Sequence, residues 1–151
     1  MLRKPTMTPH HLNTGKCERC ALIFSRYPGF NRDLQVWFET FQVANPTAHI
    51  SCAGRGKADQ EACFLAHTSN AHYGQSAHNY NLAIDIFRLT NSVDGTPKAD
   101  YDRRWFSEFV GPAVASATIG LDWFGAAGSP YYELPHVQIS NWKDLGYPLV
   151  E

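Results

Sequence analysis

Two short motifs in this chain carry side chains that could do chemistry. His78 precedes Asp85 by seven residues within Ser76-Ala77-His78-Asn79-Tyr80-Asn81-Leu82-Ala83-Ile84-Asp85, and Glu133 stands three residues before His136 in Glu133-Leu134-Pro135-His136. Asp85 interrupts the apolar run Leu82-Ala83-Ile84-Asp85-Ile86-Phe87, where a carboxylate is costly to bury unless something positive meets it. Read as a strand, Leu82, Ile84 and Ile86 share one face while Ala83, Asp85 and Phe87 share the other. Asp85 therefore points away from the aliphatic set, and the partner expected for it is a metal ion. A catalytic zinc takes three protein ligands and keeps a fourth position open. His78, Asp85 and His136 offer three, with His136 the better ligand and Glu133 the better general base of the second motif. In a continuous strand positions 133 and 136 would face opposite ways, but Pro135 favours a bend that could bring both to one site.

Each of these residues also has a plainer reading. His78 could be a surface-loop histidine, Asp85 could pair with Arg88 or Arg55, and His136 could cap a strand end. Cys17-Glu18-Arg19-Cys20 invites a zinc-knuckle reading with His10 or His11 as further ligands, but no second ligand pair follows at the proper spacing. Two incidental thiols near a helix start are the reading preferred here. His67 and His72, in the loop before the first motif, could touch substrate or replace a ligand.

The elements that must position these residues can be read from periodicity. Residues 1–30 form an irregular lead-in with one short helix near 20–26. Leu34, Trp37, Phe38 and Phe41 fall on one helical face, with Asn31 as N-cap, Asp33 in the first turn and Asn45-Pro46 as the stop. Residues 48–53 read as a strand ending at Gly54-Arg55-Gly56, a turn that presents Arg55. A second helix is predicted over about 58–66 with Ala62, Cys63 and Leu65 inward, followed by a loop over 68–75 and the strand carrying Asp85. Residues 90–98 read as turn-rich, and 101–119 as a helix with Trp105, Phe106, Phe109 and Val110 inward, kinked or split at Gly111-Pro112. Residues 121–124 and 136–139 are strand candidates. The pattern predicts one α+β domain over 1–151 with a small, largely antiparallel sheet.

Composition bounds the function. The chain has 151 residues, 44% hydrophobic and 18% charged, with seven histidines and a formal charge of −1. That charge argues against nucleic acid or an anionic membrane as partner. Four scattered cysteines do not make a disulfide scaffold. Met1-Leu2-Arg3-Lys4-Pro5 lacks an apolar segment behind it, so no signal peptide is expected, and residues 109–121 are too short and too rich in small residues to span a bilayer.

Ser76-x-His78-x6-Asp85 with Ala83 two before the aspartate, followed downstream by Glu133-x-x-His136, resembles peptidase family M15. This is the group of D-alanyl-D-alanine carboxypeptidases, VanX/VanY-type enzymes and phage L-alanyl-D-glutamate endolysins. Gly54-Arg55 and Gln60 stand where the family has an arginine turn and a helix glutamine, and Gly120-Leu121-Asp122-Trp123 resembles its Gly-Leu-x-Trp. The resemblance covers roughly residues 48–140. It departs at Asn81, where the family usually has glycine, and around 125–130, which is less regular than the family's Gly-Gly-x-Trp. Asparagine tolerates a left-handed backbone, so the turn at 81 can survive.

The resemblance implies a Hedgehog/DD-peptidase-like zinc peptidase fold. It implies Zn²⁺ on His78, Asp85 and His136, Glu133 as general base and Arg55 on the substrate's carbonyl oxygen or carboxylate. Ser76, Gln60 and Trp123 would bind substrate or support the ligands. The expected activity is cleavage of the L-Ala–D-Glu bond of the peptidoglycan stem peptide. A monomeric phage endolysin of this kind would stay in the host cytoplasm until a separate holin opens the way to the murein. A D-Ala-D-Ala carboxypeptidase or dipeptidase, and a non-catalytic zinc-containing murein-binding virion module, are the alternatives.

Overall fold

The computed structural model describes residues 17–129 and 133–151. In chain order its elements begin with α1 (Glu18–Ser25), α2 (Arg32–Ala44), β1 (Ala48–Cys52), α3 (Lys57–Leu65) and a 3₁₀ turn (Ala77–Tyr80). Next come β2 (Ala83–Asn91), β3 (Pro97–Asp100) and α4 (Arg103–Trp105), which runs through a π-helical stretch (Phe106–Val110) into α5 (Gly111–Ala115). β4 (Leu121–Phe124), β5 (Glu133–Ile139) and a 3₁₀ turn (Trp142–Asp144) follow. The expected α+β architecture is what forms: an antiparallel sheet ordered β1-β2-β5-β4, with β3 on the second half of β2. His10 and His11, with most of the predicted lead-in, lie outside the described residues.

The core lies where the helices meet the sheet. On α2, Leu34, Phe38 and Phe41 are buried as the spacing predicts, the Asn31 side chain accepts the Leu34 N–H at 2.9 Å, and Asn45 closes the helix. These meet Ile50, Ile84, Ile86 and Val137 from the sheet. Each such side chain contributes roughly 1.5–3 kcal/mol when fully buried. Among the described residues, no helix is long and apolar enough to cross a membrane.

Several elements differ from their predicted form. The first helix runs Glu18–Ser25 with Cys17 as its N-cap. The α3 helix turns Gln60 inward, while Ala62 and Leu65 are exposed and Cys63 is half-buried. Its inner surface meets polar groups of the site rather than the aliphatic core, so hydrophobicity misassigned its face. The turn-rich segment becomes a hairpin, with β2 reaching Asn91 and β3 starting at Pro97 around Gly95 at φ +85°. The long predicted helix is shorter, 103–115, and Phe109 is exposed. It opens into a π turn (Gly111 N–H to Phe106 C=O) just before Pro112, which has no N–H to give. The last strand begins at Glu133 rather than His136.

Candidate metal centre

Asp85 sits at the middle of a row that crosses three strands. On one side it pairs with Cys52 of β1, and on the other with His136 of β5. A bulge between Ile50 and Cys52 sets the first pairing. On β5, Val137 pairs with Trp123 but Glu133 already pairs with Phe124, so Leu134, Pro135 and His136 arch out of the β4–β5 ladder. That is the bend expected from Pro135, and it brings Glu133 Oε2 to 3.8 Å from His136 Nδ1. The Trp123 indole fastens the arch by donating to the Leu134 carbonyl at 2.8 Å.

His78 arrives from the 3₁₀ turn that ends just before β2. The Ser76 hydroxyl accepts the His78 N–H at 3.3 Å and caps this turn. Asn81 ends it in the left-handed region at φ 61°, ψ 33°, as an asparagine there permits. His78 is buried, and its Nε2 lies 3.2 Å from Asp85 Oδ1 and 3.2 Å from His136 Nδ1. His136 Nδ1 is 3.4 Å from the same Asp85 oxygen. In a tetrahedral zinc site with bonds near 2.0–2.1 Å, ligand atoms are spaced by about 3.3–3.4 Å. The three atoms thus form a triangle of the size a metal ion needs.

The outer contacts fix both imidazoles for such a role. His78 Nδ1 donates to the Ala53 carbonyl at 2.7 Å, and His136 Nε2 donates to Gln138 Oε1 at 2.8 Å. Each ring therefore turns its other nitrogen, with its lone pair, towards Asp85. Cys52 also lies within ligating distance of His78 and Asp85. However, its sulfur approaches His78 Nδ1, at 3.8 Å, the nitrogen already committed to Ala53.

Charge follows this geometry. Burial pulls the His78 pKa down, but the Asp85 carboxylate and Cys52 outweigh it and push it up to about 10. Burial raises the Asp85 pKa, yet His78 and His136 hold its carboxyl well below the usual carboxylate range. Among these side chains alone, three electron-rich atoms converge on room for one proton or one cation.

Arg55 stands behind Asp85 and donates to Oδ2 at 3.3 Å, one of the pairings the sequence left open; Arg88 instead pairs with Asp100 and Asp102. Gln60 is fully buried, accepts from Arg55 and Asn79, and donates to Ser69 and the Ala71 carbonyl. It ties the arginine turn to the 69–71 loop. His72 pairs with Glu61 at the surface and His67 is exposed, so neither reaches the cluster. Two side chains absent from the sequence expectations join the site: Gln138 as the His136 partner, and Trp142 on the cleft wall.

An open cleft of about 620 Å³ runs over the cluster, lined by Arg55, Ser76, His78, Asp85, Glu133 and His136 among others. A second cleft of about 630 Å³ lies beyond Arg55 and shares Arg55, Thr68, Asp85 and Pro135 with the first. Cleft therefore continues on both sides of Asp85. Glu133 stands half out in water (56% exposed) on the wall of the first.

No protein-family model matches the chain, and none of the curated proteins matches it by sequence. Among solved structures it is similar to the Serratia marcescens L-Ala D-Glu endopeptidase ChiX. The identity is 18% and the TM-score 0.58, over 80% of this chain and 88% of that one. At that identity the likeness is one of fold: an α+β chain built on the framework of that endopeptidase.

Proposed function

We propose that the chain is a zinc-dependent peptidoglycan peptidase of the M15 type that cleaves the L-Ala–D-Glu bond of the murein stem peptide. The observation that carries this reading is the triangle of His78 Nε2, Asp85 Oδ1 and His136 Nδ1, 3.2–3.4 Å on a side at the floor of an open cleft. Those three atoms would hold the ion. Bound there, zinc supplies Lewis acidity, polarising a carbonyl and easing the deprotonation of water at neutral pH. Glu133, exposed on the cleft wall, takes the proton and later gives it to the leaving amine. Arg55 holds Asp85 in place and puts a fixed positive charge beside the reacting carbonyl. The Ala53 carbonyl and Gln138 keep the two imidazoles aimed, Ser76 caps the turn that carries His78, and Gln60 and Trp123 support the loop and the arch around them.

The clefts on both sides of Asp85 favour an internal bond over a chain end, which supports the endopeptidase over the carboxypeptidase or dipeptidase. The solved endopeptidase with this fold supports the same substrate class. The biological reading is a phage endolysin, a monomer that relies on a separate holin to reach the wall. A murein-binding module without activity has no use for a carboxylate placed as Glu133 is.

Mass spectrometry of purified sacculi digested with the zinc-loaded protein tests the proposal. Fragments newly ending in L-Ala and beginning in D-Glu are expected. Free D-Ala as sole product would assign the carboxypeptidase reaction, and no product would favour the binder.

A further inference from the structure

A second cluster of metal-ligating side chains lies where α1 meets β1, apart from the cleft site. Cys17 and Cys20 are each 2% exposed and His49 is fully buried. Their ligand atoms lie within 4.8 Å of one another, with Cys20 Sγ 3.7 Å from His49 Nδ1. A tetrahedral ion with Zn–S near 2.3 Å and Zn–N near 2.0–2.1 Å separates sulfur and nitrogen by about 3.6 Å. Nothing in the cleft chemistry uses these residues.

We propose that Cys17 Sγ, Cys20 Sγ and His49 Nδ1 supply three of the ligands of a second zinc ion that fastens α1 to β1. The neighbouring Cys17 and burial push the Cys20 thiol up, and the N–H groups of Ile50 and Gln42 pull it back down. The Cys20 N–H points at Cys17 Sγ (3.3 Å), while the Ile50 N–H (3.4 Å) and the Gln42 side-chain amide (3.6 Å) point at Cys20 Sγ. Such N–H···S contacts offset thiolate charge and orient the ligands around an ion. Cys17 as N-cap and Cys20 in the first turn place both sulfurs on one side of α1, where β1 presents His49. Two soft sulfurs and an imidazole select zinc over magnesium or calcium. A Cys-x-x-Cys at a helix start also suits thiol–disulfide exchange, but that chemistry needs a sulfur a partner can reach, and neither is accessible here. A small ion has a way in, because a cleft of about 390 Å³ between α1 and α2 reaches both cysteines.

The site links the helix to the strand whose far end, Cys52, pairs with Asp85. It is independent of the catalytic reading, and the test separates the two. Full-length protein loaded with Co²⁺ is expected to bind two ions and to show thiolate-to-cobalt charge-transfer absorption in the near ultraviolet, which nitrogen and oxygen ligands cannot give. Asp85→Asn should lose one ion and keep that absorption. Cys20→Ser should lose the absorption and keep the other ion. Wild-type protein without the charge-transfer band, or a Cys17–Cys20 disulfide found by mass spectrometry of the native protein, would overturn the proposal even if the variants failed to fold.

Discussion

Asp85 and His136 stand directly opposite each other on β2 and β5, with Oδ1 and Nδ1 3.4 Å apart. The pairing puts both side chains on one face of the sheet, beside Cys52 on the third strand. A slip of one residue would turn His136 to the other face and dismantle the cluster. The arch at Leu134-Pro135-His136 then lets Glu133 share that face. Strand register, more than any loop, assembles the site.

The Gln138 acceptor is expected to matter through His136 alone. Gln138→Leu should weaken zinc affinity by about 10–100-fold, the range for losing a partner behind a ligating histidine. Gln138→Glu, which can still accept from His136 Nε2, should restore most of it. Competitive titration against a chelator, with circular dichroism as a control for folding, reads the effect.

Metal uptake should release a proton. A His78 pKa of about 10 lies above its ordinary value, so at pH 7 the metal-free site holds a proton that an incoming ion displaces. Asp85, held low, stays ionised throughout. Apparent affinity should rise about tenfold per pH unit and level off above pH ~10. In the metal-free protein, the His78 contribution to stability is fully present below pH ~6.5 and is lost as pH rises through about 10. Calorimetric titration in buffers of different ionisation enthalpy counts the proton; zero released at pH 7 would contradict the assignment.

Gly54 is a sensitive position just before Arg55. A Cβ there would run into the Tyr27 ring and lie 2.5 Å from Asn81 Oδ1. Gly54→Ala should cost about 1–3 kcal/mol, the usual penalty for overpacking, by forcing Tyr27 or the turn after His78 to move. Urea unfolding gives the stability change, and zinc affinity should fall with it.

Glu133→Gln should keep zinc at wild-type affinity and lower turnover on sacculi by roughly 10²–10⁴, the range for a general base. Near wild-type cleavage by this variant would remove Glu133 from the mechanism.

Much of the candidate site could be read from the sequence because its side chains are chemically conspicuous. A histidine, a carboxylate inside an apolar run and a Glu-x-x-His with a bend-forming proline stand out by type, and the family resemblance is what joins them into one expected site. Gln138 and Trp142 do not, since their roles depend on register across β5 and on the last turn of chain. The α2 helix was legible because its partners are aliphatic and aromatic. The inner face of α3 was not, because its one buried side chain is an amide serving Arg55 and Asn79. β3, spelled Pro97-Lys98-Ala99-Asp100, has little strand propensity of its own and exists through its pairing with β2. For Cys17 and Cys20 the sequence offered His10 and His11 as partners and not His49, which lies 29 residues beyond Cys20 and meets them only in the fold.

One ion is expected among His78, Asp85 and His136. Anomalous scattering at the zinc edge from crystals of the zinc-loaded protein locates it. The expected result is a peak within bonding distance of His78 Nε2, Asp85 Oδ1 and His136 Nδ1, with an open side facing the cleft. Density at full zinc saturation that leaves these three side chains without an ion would contradict it.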